Sequence, residues 1–418
     1  MIEEAHADSM LAPYRVLDLT DEKGWLCGKI LGDFGADVIK IEPVGGDQGR
    51  NIGPFYQNEQ QMEKSLYWFA FNTSKRGITL NFETTDGQEI FKKLVKAADF
   101  IIESFPPGYM EKLGFSYSEL EKINPHVIMV SITPFGPTGP YKDYKISGIV
   151  AWALGGHLYR SDYEDRPPVG ISHHPQAYLH AGGEAAAAAL MALYSRRLTG
   201  EGQRIDVSIQ ECVVRTLMTA WWAQSKVFAK RGTHINQAGN VVHRKVLLPC
   251  KDGWVYWGWG GGPLGILYNP PFMKWMEEEG MLDDYLKNMD WLQFNLELTN
   301  QETIDRIAEP TIRFLMTHTK QELFEGAIKR RVMLYPVSSA EDILRSRQLE
   351  SRNFWQKVEH PELGTKITYP GAFVNASEAP PKIYRRAPLI GEHNDEIYEN
   401  ELGISKEKIK TLLKAKVI

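Results

Sequence analysis

Between Ile171 and Gln210 the chain reads ISHHPQAYLHAGGEAAAAALMALYSRRLTGEGQRIDVSIQ, and side chains able to do chemistry crowd most densely here. His173, His174 and His180 offer imidazoles, and Glu184 offers a carboxylate one helical turn after His180, on the same face. A zinc site wants a further protein ligand at a recognisable spacing, and none follows. These groups therefore read as polar loop or pocket-wall residues. Tyr178 stands among them, but a phenol with an ordinary pKa of about 10 is protonated at neutral pH and is a poor nucleophile. No Asp occurs between Asp165 and Asp206. No G-x-S-x-G elbow supports a serine nucleophile. Cys27 and Cys212 fall on apolar helical faces and read as core. With Cys250 they are too widely spaced for a disulfide framework or a zinc site.

Two further stretches carry polar or conformationally free groups. Phe71–Phe82 (FNTSKRGITLNF) combines the donors Asn72, Thr73 and Ser74 with the cations Lys75 and Arg76. A phosphate could use them, although clustered cations more often lie on a solvated turn. The run Trp257-Gly258-Trp259-Gly260-Gly261-Gly262-Pro263 has a backbone with few steric limits. It suits a loop approaching a ligand, and equally a simple turn between tryptophans.

The elements that must position these groups follow from periodicity. Gly182, Gly183 and Ala185–Ala189 make a thin helix, with Leu190, Leu193 and Tyr194 continuing its apolar face. The turn Thr199–Gln203 leads to a strand, Ile205–Ile209. The helix starts at a loop, where ligands tend to sit. Earlier, strand Tyr14–Thr20, helix Gly24–Phe34 and strand Ala36–Ile41 form a βαβ unit. Its turn, Asp21-Glu22-Lys23-Gly24, lacks the G-x-G-x-x-G spacing, which disfavours NAD. Helix Gly87–Ala98, strands Phe100–Glu103 and His126–Ile132, and a Gly/Pro loop, Pro134–Tyr141, continue a doubly wound α/β pattern. Beyond Glu211 a long apolar-faced helix reads as a connector. Lys245–Trp259 reads as a hairpin around Asp252-Gly253, helices run from Phe272 to about Arg331, and Met333–Val337 and Thr365–Phe373 return to strand texture before a final helix at Ser405–Lys416.

At 418 residues the chain is long enough for two domains. A formal charge of -5 gives no reason to expect nucleic acid or an anionic membrane as partner. No apolar run approaches the length of a membrane span, and the start MIEEAHADSM lacks the features of a signal peptide, so the expected compartment is the cytoplasm.

The order of pieces resembles the class III CoA-transferases, of the formyl-CoA transferase and carnitine CoA-transferase type. The resemblance is carried by RVLDLT, LGDFGADVIKIEPVGGD (Leu31–Asp47), FNTSKRGITLNFETTDGQEIFKKLVKAADFIIESFPPG (Phe71–Gly108), LTGEGQRIDVSIQE and RAPLIGEH (Arg386–His393). It implies an α/β fold: a Rossmann-like large domain from residues 1–215 and 331–418, a linker helix over 216–240, and a smaller α+β domain over 241–330. Two chains would be threaded through each other in an interlocked dimer. The implied chemistry is CoA exchange between carboxylic acids. An enzyme carboxylate attacks an acyl-CoA thioester, a mixed anhydride forms, and the bound thiolate is then reacylated. CoA is substrate, with no metal and no covalently bound cofactor. Lys23, Asn72, Lys75, Arg76, Ser104, Phe105 and Lys112 match the CoA-facing set, and Gly258, Gly260, Gly261 and Gly262 match a loop lying over the site.

The chain departs from that pattern at its opening stretch. Tyr178, four residues before Gly182, stands where the family places its nucleophilic Asp. Asp21-Glu22-Lys23-Gly24-Trp25-Leu26 replaces a small-residue turn, and Trp25 is expected to crowd the pocket. The resemblance then implies the non-nucleophilic subunit of a hetero-oligomer. A homologous catalytic partner would carry the Asp and move CoA between succinyl-CoA and an aryl- or alkyl-substituted succinate. The alternative is a stand-alone acyl-CoA isomerase, racemase or transferase with a substitute nucleophile. Ile146-Ser147 stand where related racemases keep a His-Asp pair, and Glu184 lies more than a turn too far along the helix.

Overall fold

Apolar runs covered on both faces make parallel strands, and six of them build the central sheet. They are β1 (Arg15–Leu19), β2 (Asp37–Glu42), β3 (Lys75–Thr79), β4 (Phe100–Glu103), β5 (Ile128–Thr133) and β6 (Arg204–Ser208), in the order β3-β2-β1-β4-β5-β6. Every pairing is parallel; Leu17, for example, lies between Ile39 and Ile101. The order reverses between β1 and β4, and the crevice at the carboxyl ends there is where such sheets bind ligands. The computed structural model describes residues 9–160, 175–216, 234–235, 241–243, 245–260, 262–295 and 298–418. His173, His174, Gly261 and most of the expected linker lie outside the described residues.

The described helices of this unit, in chain order, include α1 (Trp25–Asp33), α2 (Thr85–Lys96), α3 (Tyr117–Ile123), α4 (Gly148–Leu154), α5 (Gln176–Thr199) and α6 (Ile209–Arg215). One sheet face buries Leu17, Ile39, Ile78, Ile101 and Met129 in a core with Ile90, Phe91 and Leu94 of α2 and Leu120 of α3. The C-terminal residues Tyr398, Leu412 and Val417 complete that core, so both chain ends build it. The backbone agrees: Ser74 N–H donates to Arg385 O, His393 N–H to Gly77 O, and Asn81 N–H to Val417 O. On α5, Ala181, Gly182, Ala185, Ala186 and Ala189 are buried, and α5 runs close to α1; a Cβ on Gly182 would sit 2.9 Å from Leu26 Cβ.

The chain divides into two compact units, one spanning Met1–His157, Gly170–Leu217 and Gln348–Ile418, the other Leu158–Val169 and Met218–Arg347. In the second, β7 (Leu247–Cys250) and β8 (Gly253–Tyr256) form the expected hairpin, and β9 (Tyr335–Pro336) adds beside β8, which carries this unit past residue 331. Its longer described helices are α7 (Gly262–Glu278), α8 (Gln301–Met316) and α9 (Lys320–Arg330). α9 is started by a capping box between Thr319 and Glu322. Trp257, Phe272, Trp275 and Phe314 are its large core residues. α7 begins ten residues before Phe272, so the glycine run ends as the first turn of a helix. Back in the first unit, β10 (Trp355–His360) and β11 (Thr365–Pro370) pair as a second hairpin, and α10 (Lys406–Lys414) closes the chain. No helix among the described residues is long and apolar enough to cross a membrane.

Candidate functional site

The carboxyl ends of β1 to β5 open onto a cavity of about 1090 Å³, contained within the first unit. Its wall is the turn after β1 (Thr20–Lys23), Pro43, Val44, Asp47 and Gln48 after β2, Asn81–Glu83 after β3, Ser104–Pro107 with Tyr109 and Lys112 after β4, and Pro134 with 142–146 after β5. It straddles the reversal in strand order and is large enough for an extended nucleotide thioester. Phe82, Phe105 and Tyr109 form an aromatic cluster on one side, with ring centroids 5.8 and 4.7 Å apart. Lys112, Lys142, Lys145 and Lys416 also line the wall and form no ion pair among the described residues.

The first-turn end is different, because its polar groups are already engaged. Ser104 Oγ donates to Asp21 Oδ1 at 2.7 Å, and the Asp21 N–H donates back to Ser104 Oγ at 2.8 Å. Lys23 N–H donates to Asp21 Oδ1, and the Lys23 ammonium pairs with Asp21 Oδ2. Lys40 donates to Thr20 O and lies 3.6 Å from Asp47 Oδ2. Burial, reinforced by the charge of Asp21, pushes the Glu22 carboxyl up, toward its neutral form. Glu103, at the end of β4, is buried and accepts the Phe105 N–H at 2.7 Å; burial raises its pKa to about 7.

Tyr178 lies in the first turn of α5 and is buried. Burial first, then the charges of Glu22 and Asp21, hold its phenol well above the usual range, so it is a neutral hydroxyl at physiological pH. Glu184, on the same helix, pairs with Arg215 at 2.8 Å, and the His180 ring packs edge-on to Trp152. Among the described residues no three His, Cys, Asp or Glu side chains converge as a metal site.

Lys23, Ser104, Phe105 and Lys112 of the sequence-derived set stand on the cavity wall; Asn72, Lys75 and Arg76 do not. Lys75 and Arg76 are not on a solvated turn either, since they open β3 and are buried. The Lys75 ammonium is consumed by Asp18 at 2.7 Å, Asn72 Oδ1 at 2.9 Å and Trp25 O at 3.0 Å. Burial alone would raise Asp18, but Lys75 and Lys40 overcome it and keep the carboxylate ionised. Arg76 is held by Asp37, Glu396 and Glu401, which ties β3 to the C-terminal segment. Trp25 does not reach the cavity wall. It turns inward against Tyr67 and Trp68, with centroids 5.7 and 5.1 Å away, and over Gly49.

In the second unit Gly260 exchanges hydrogen bonds with the Asn269 side chain, and a Cβ there would fall 2.3 Å from Tyr268 Oη. Close packing is reason enough for glycine at that position. Gly258 sits between Trp257 and Trp259, whose rings meet edge to face. Sequence reading missed the roles of Asp21 and Glu103. The signal present was an acidic residue two positions after β1 and another as the last residue of β4, in a fold that collects those strand ends.

A family model described as CoA-transferase family III matches residues 11–394. The chain is 35% identical, over 96% of both chains, to succinyl-CoA:(R)-benzylsuccinate CoA-transferase subunit BbsE of Thauera aromatica. It is 29% identical, over 98% of both, to the succinyl-CoA–L-malate CoA-transferase beta subunit of Chloroflexus aurantiacus. Among solved structures, a CaiB/BaiF family protein from Brucella suis superposes with a TM-score of 0.78 at 27% identity, covering 94% of this chain and 99% of that one.

Proposed function

We propose, from the premise that this chain belongs to CoA-transferase family III, that it is the non-nucleophilic subunit of a heteromeric transferase. The complex would move CoA between succinyl-CoA and an aryl- or alkyl-substituted succinate such as benzylsuccinate, an acid of anaerobic toluene breakdown. The observation that carries this reading is Tyr178 at the entry of α5, a buried neutral phenol where the reaction needs a carboxylate. An aspartate's anion can attack a thioester and leave as half of an anhydride; a phenol held above its ordinary pKa supplies neither the anion nor that leaving ability. Glu22, the carboxyl acting on it most directly, is itself pushed toward the neutral acid. The family resemblance supports CoA in the cavity, with Lys23, Ser104, Phe105 and Lys112 as wall contacts. Asn72, Lys75 and Arg76 serve one layer below, fixing α1 and β3. Gly258 to Gly262 take the part of the family's active-site loop. The partner is a homologous chain bearing the Asp, in interlocked dimers that assemble as a heterotetramer.

The test is CoA exchange from succinyl-CoA to benzylsuccinate by the chain expressed alone and with an Asp-bearing homologous partner. Activity is expected only with the partner, and full activity of the purified single chain would overturn the reading. Within the heteromer, Tyr178→Phe is expected to leave turnover nearly unchanged. A loss of about a hundredfold, or about 2.7 kcal/mol of barrier, would give the phenol a chemical role.

A further inference from the structure

Asp21 gathers three donors onto one carboxylate. Oδ1 accepts from Ser104 Oγ at 2.7 Å and from Lys23 N–H at 3.1 Å, while Oδ2 holds the Lys23 ammonium. Its own N–H is spent on Ser104 Oγ at 2.8 Å. Ser104 is buried and the Lys23 side chain is only 17% exposed; both line the cavity, and there both are engaged by Asp21. Charge-assisted hydrogen bonds of this kind are among the stronger polar contacts in proteins. A ligand anion arriving at this end of the cavity must displace a carboxylate that is tethered in place and competes as a local, high-concentration ligand. Other parts of the lining differ in kind, with Lys112, Lys142, Lys145 and Lys416 unpaired among the described residues. The cavity is thus cationic along those lysines and self-neutralised at the turn after β1, whose Asp21 and Glu22 carboxyls act on the Tyr178 phenol.

We propose that Asp21 is a specificity-determining residue, which occupies from within the chain the donors of Ser104 and Lys23 and so discriminates against acyl-CoA thioesters with a negatively charged acyl group. The inference rests on the cavity being the acyl-CoA site of the reading above. It adds that this chain is set apart from acyl transfer twice: by the phenol at 178 and by an internal anion at the turn after β1, whose charge acts on that phenol. CoA itself, whose negative charge is in its phosphates, is little affected. A dicarboxylic acyl group such as succinyl brings a second carboxylate to the Asp21 end, where the donors that would hold it are already taken.

The test compares CoA and succinyl-CoA binding by titration calorimetry on the full-length chain and on its Asp21→Ala and Asp21→Asn variants, with circular dichroism and melting to establish folding. Asp21→Ala is expected to tighten succinyl-CoA about tenfold or more while changing CoA less, since it frees Ser104 and Lys23 together. Asp21→Asn keeps an acceptor for Ser104 but releases the Lys23 ammonium, and is expected to move in the same direction by a smaller factor. Should the alanine variant fail to fold, the asparagine variant decides. Folded variants that bind succinyl-CoA no tighter than the native chain, or equally absent binding in all three proteins, would overturn the proposal. CoA exchange by the purified single chain would instead overturn the subunit reading and leave the binding comparison standing.

Discussion

Glu103 shows how one buried carboxyl can tie stability to pH. Its Oε2 accepts the Phe105 N–H, which fixes the start of the loop forming one wall of the cavity. Burial raises its pKa from the ordinary carboxylate range to about 7. For an acid whose folded pKa lies above its unfolded value, the folded state holds the proton over the interval between them. Stability is therefore lost as pH rises from about 4.5 and levels off once pH passes about 7. Glu103→Gln keeps an oxygen for the Phe105 N–H and removes the titration. The unfolding free energy of the variant, from urea melts at pH 5 and pH 8, is expected to gain on the native protein by on the order of 2 kcal/mol across that range. An unchanged difference at the two pH values would show that Glu103 titrates normally.

At the scale of elements, α5 depends on two adjacent glycines that do opposite things. Gly182 faces α1, where a Cβ would lie 2.9 Å from Leu26 Cβ and 3.2 Å from Cys27 N; the second neighbour is backbone and cannot rotate away. Gly183 meets nothing within 4 Å. Gly182→Ala is therefore expected to destabilise the chain by about 1–3 kcal/mol through overpacking. Gly183→Ala should stabilise it by roughly 0.5–1 kcal/mol, the usual gain for removing a helix-interior glycine. Denaturant midpoints of the two single variants check both signs. The helix itself and the parallel strands other than β3 were legible because their apolar spacing is local, whereas Lys75 and Arg76, which open β3, read as a basic turn. The hairpin β10–β11 was less so: its strands are polar and half-exposed, and only Thr365–Phe373 read as strand. The partners within the site could not be read at all. Lys75 and Arg76 are recognisable as cations, but Asp18 lies 57 residues from Lys75, and Ser104 lies 83 from Asp21. Only the fold's collection of strand ends brings such groups together, so spacing along the chain carries no trace of which charges are spent internally and which remain for a ligand.

At the scale of the molecule, the outer side of α5 is the feature that one chain leaves unexplained. Met191, Tyr194 and Leu198, spaced three and four apart, form one stripe and are 67%, 68% and 72% exposed. The opposite side of the same helix is fully packed against α1 and the sheet, so the stripe does not compensate for a poor inner face. Large apolar side chains aligned this way mark a contact surface more often than a solvated one. Burying each contributes roughly 1.5–3 kcal/mol, enough for three of them to influence whether two chains stay associated. The interlocked assembly proposed above offers a second chain to cover them. Met191→Glu with Tyr194→Glu is expected to leave the helix folded, because neither residue contributes to the core, while the particle mass from light scattering coupled to size exclusion falls from that of the proposed assembly toward a single 47.5 kDa chain. A double variant that keeps both the native mass and the native helicity would place the interface on another face of the molecule.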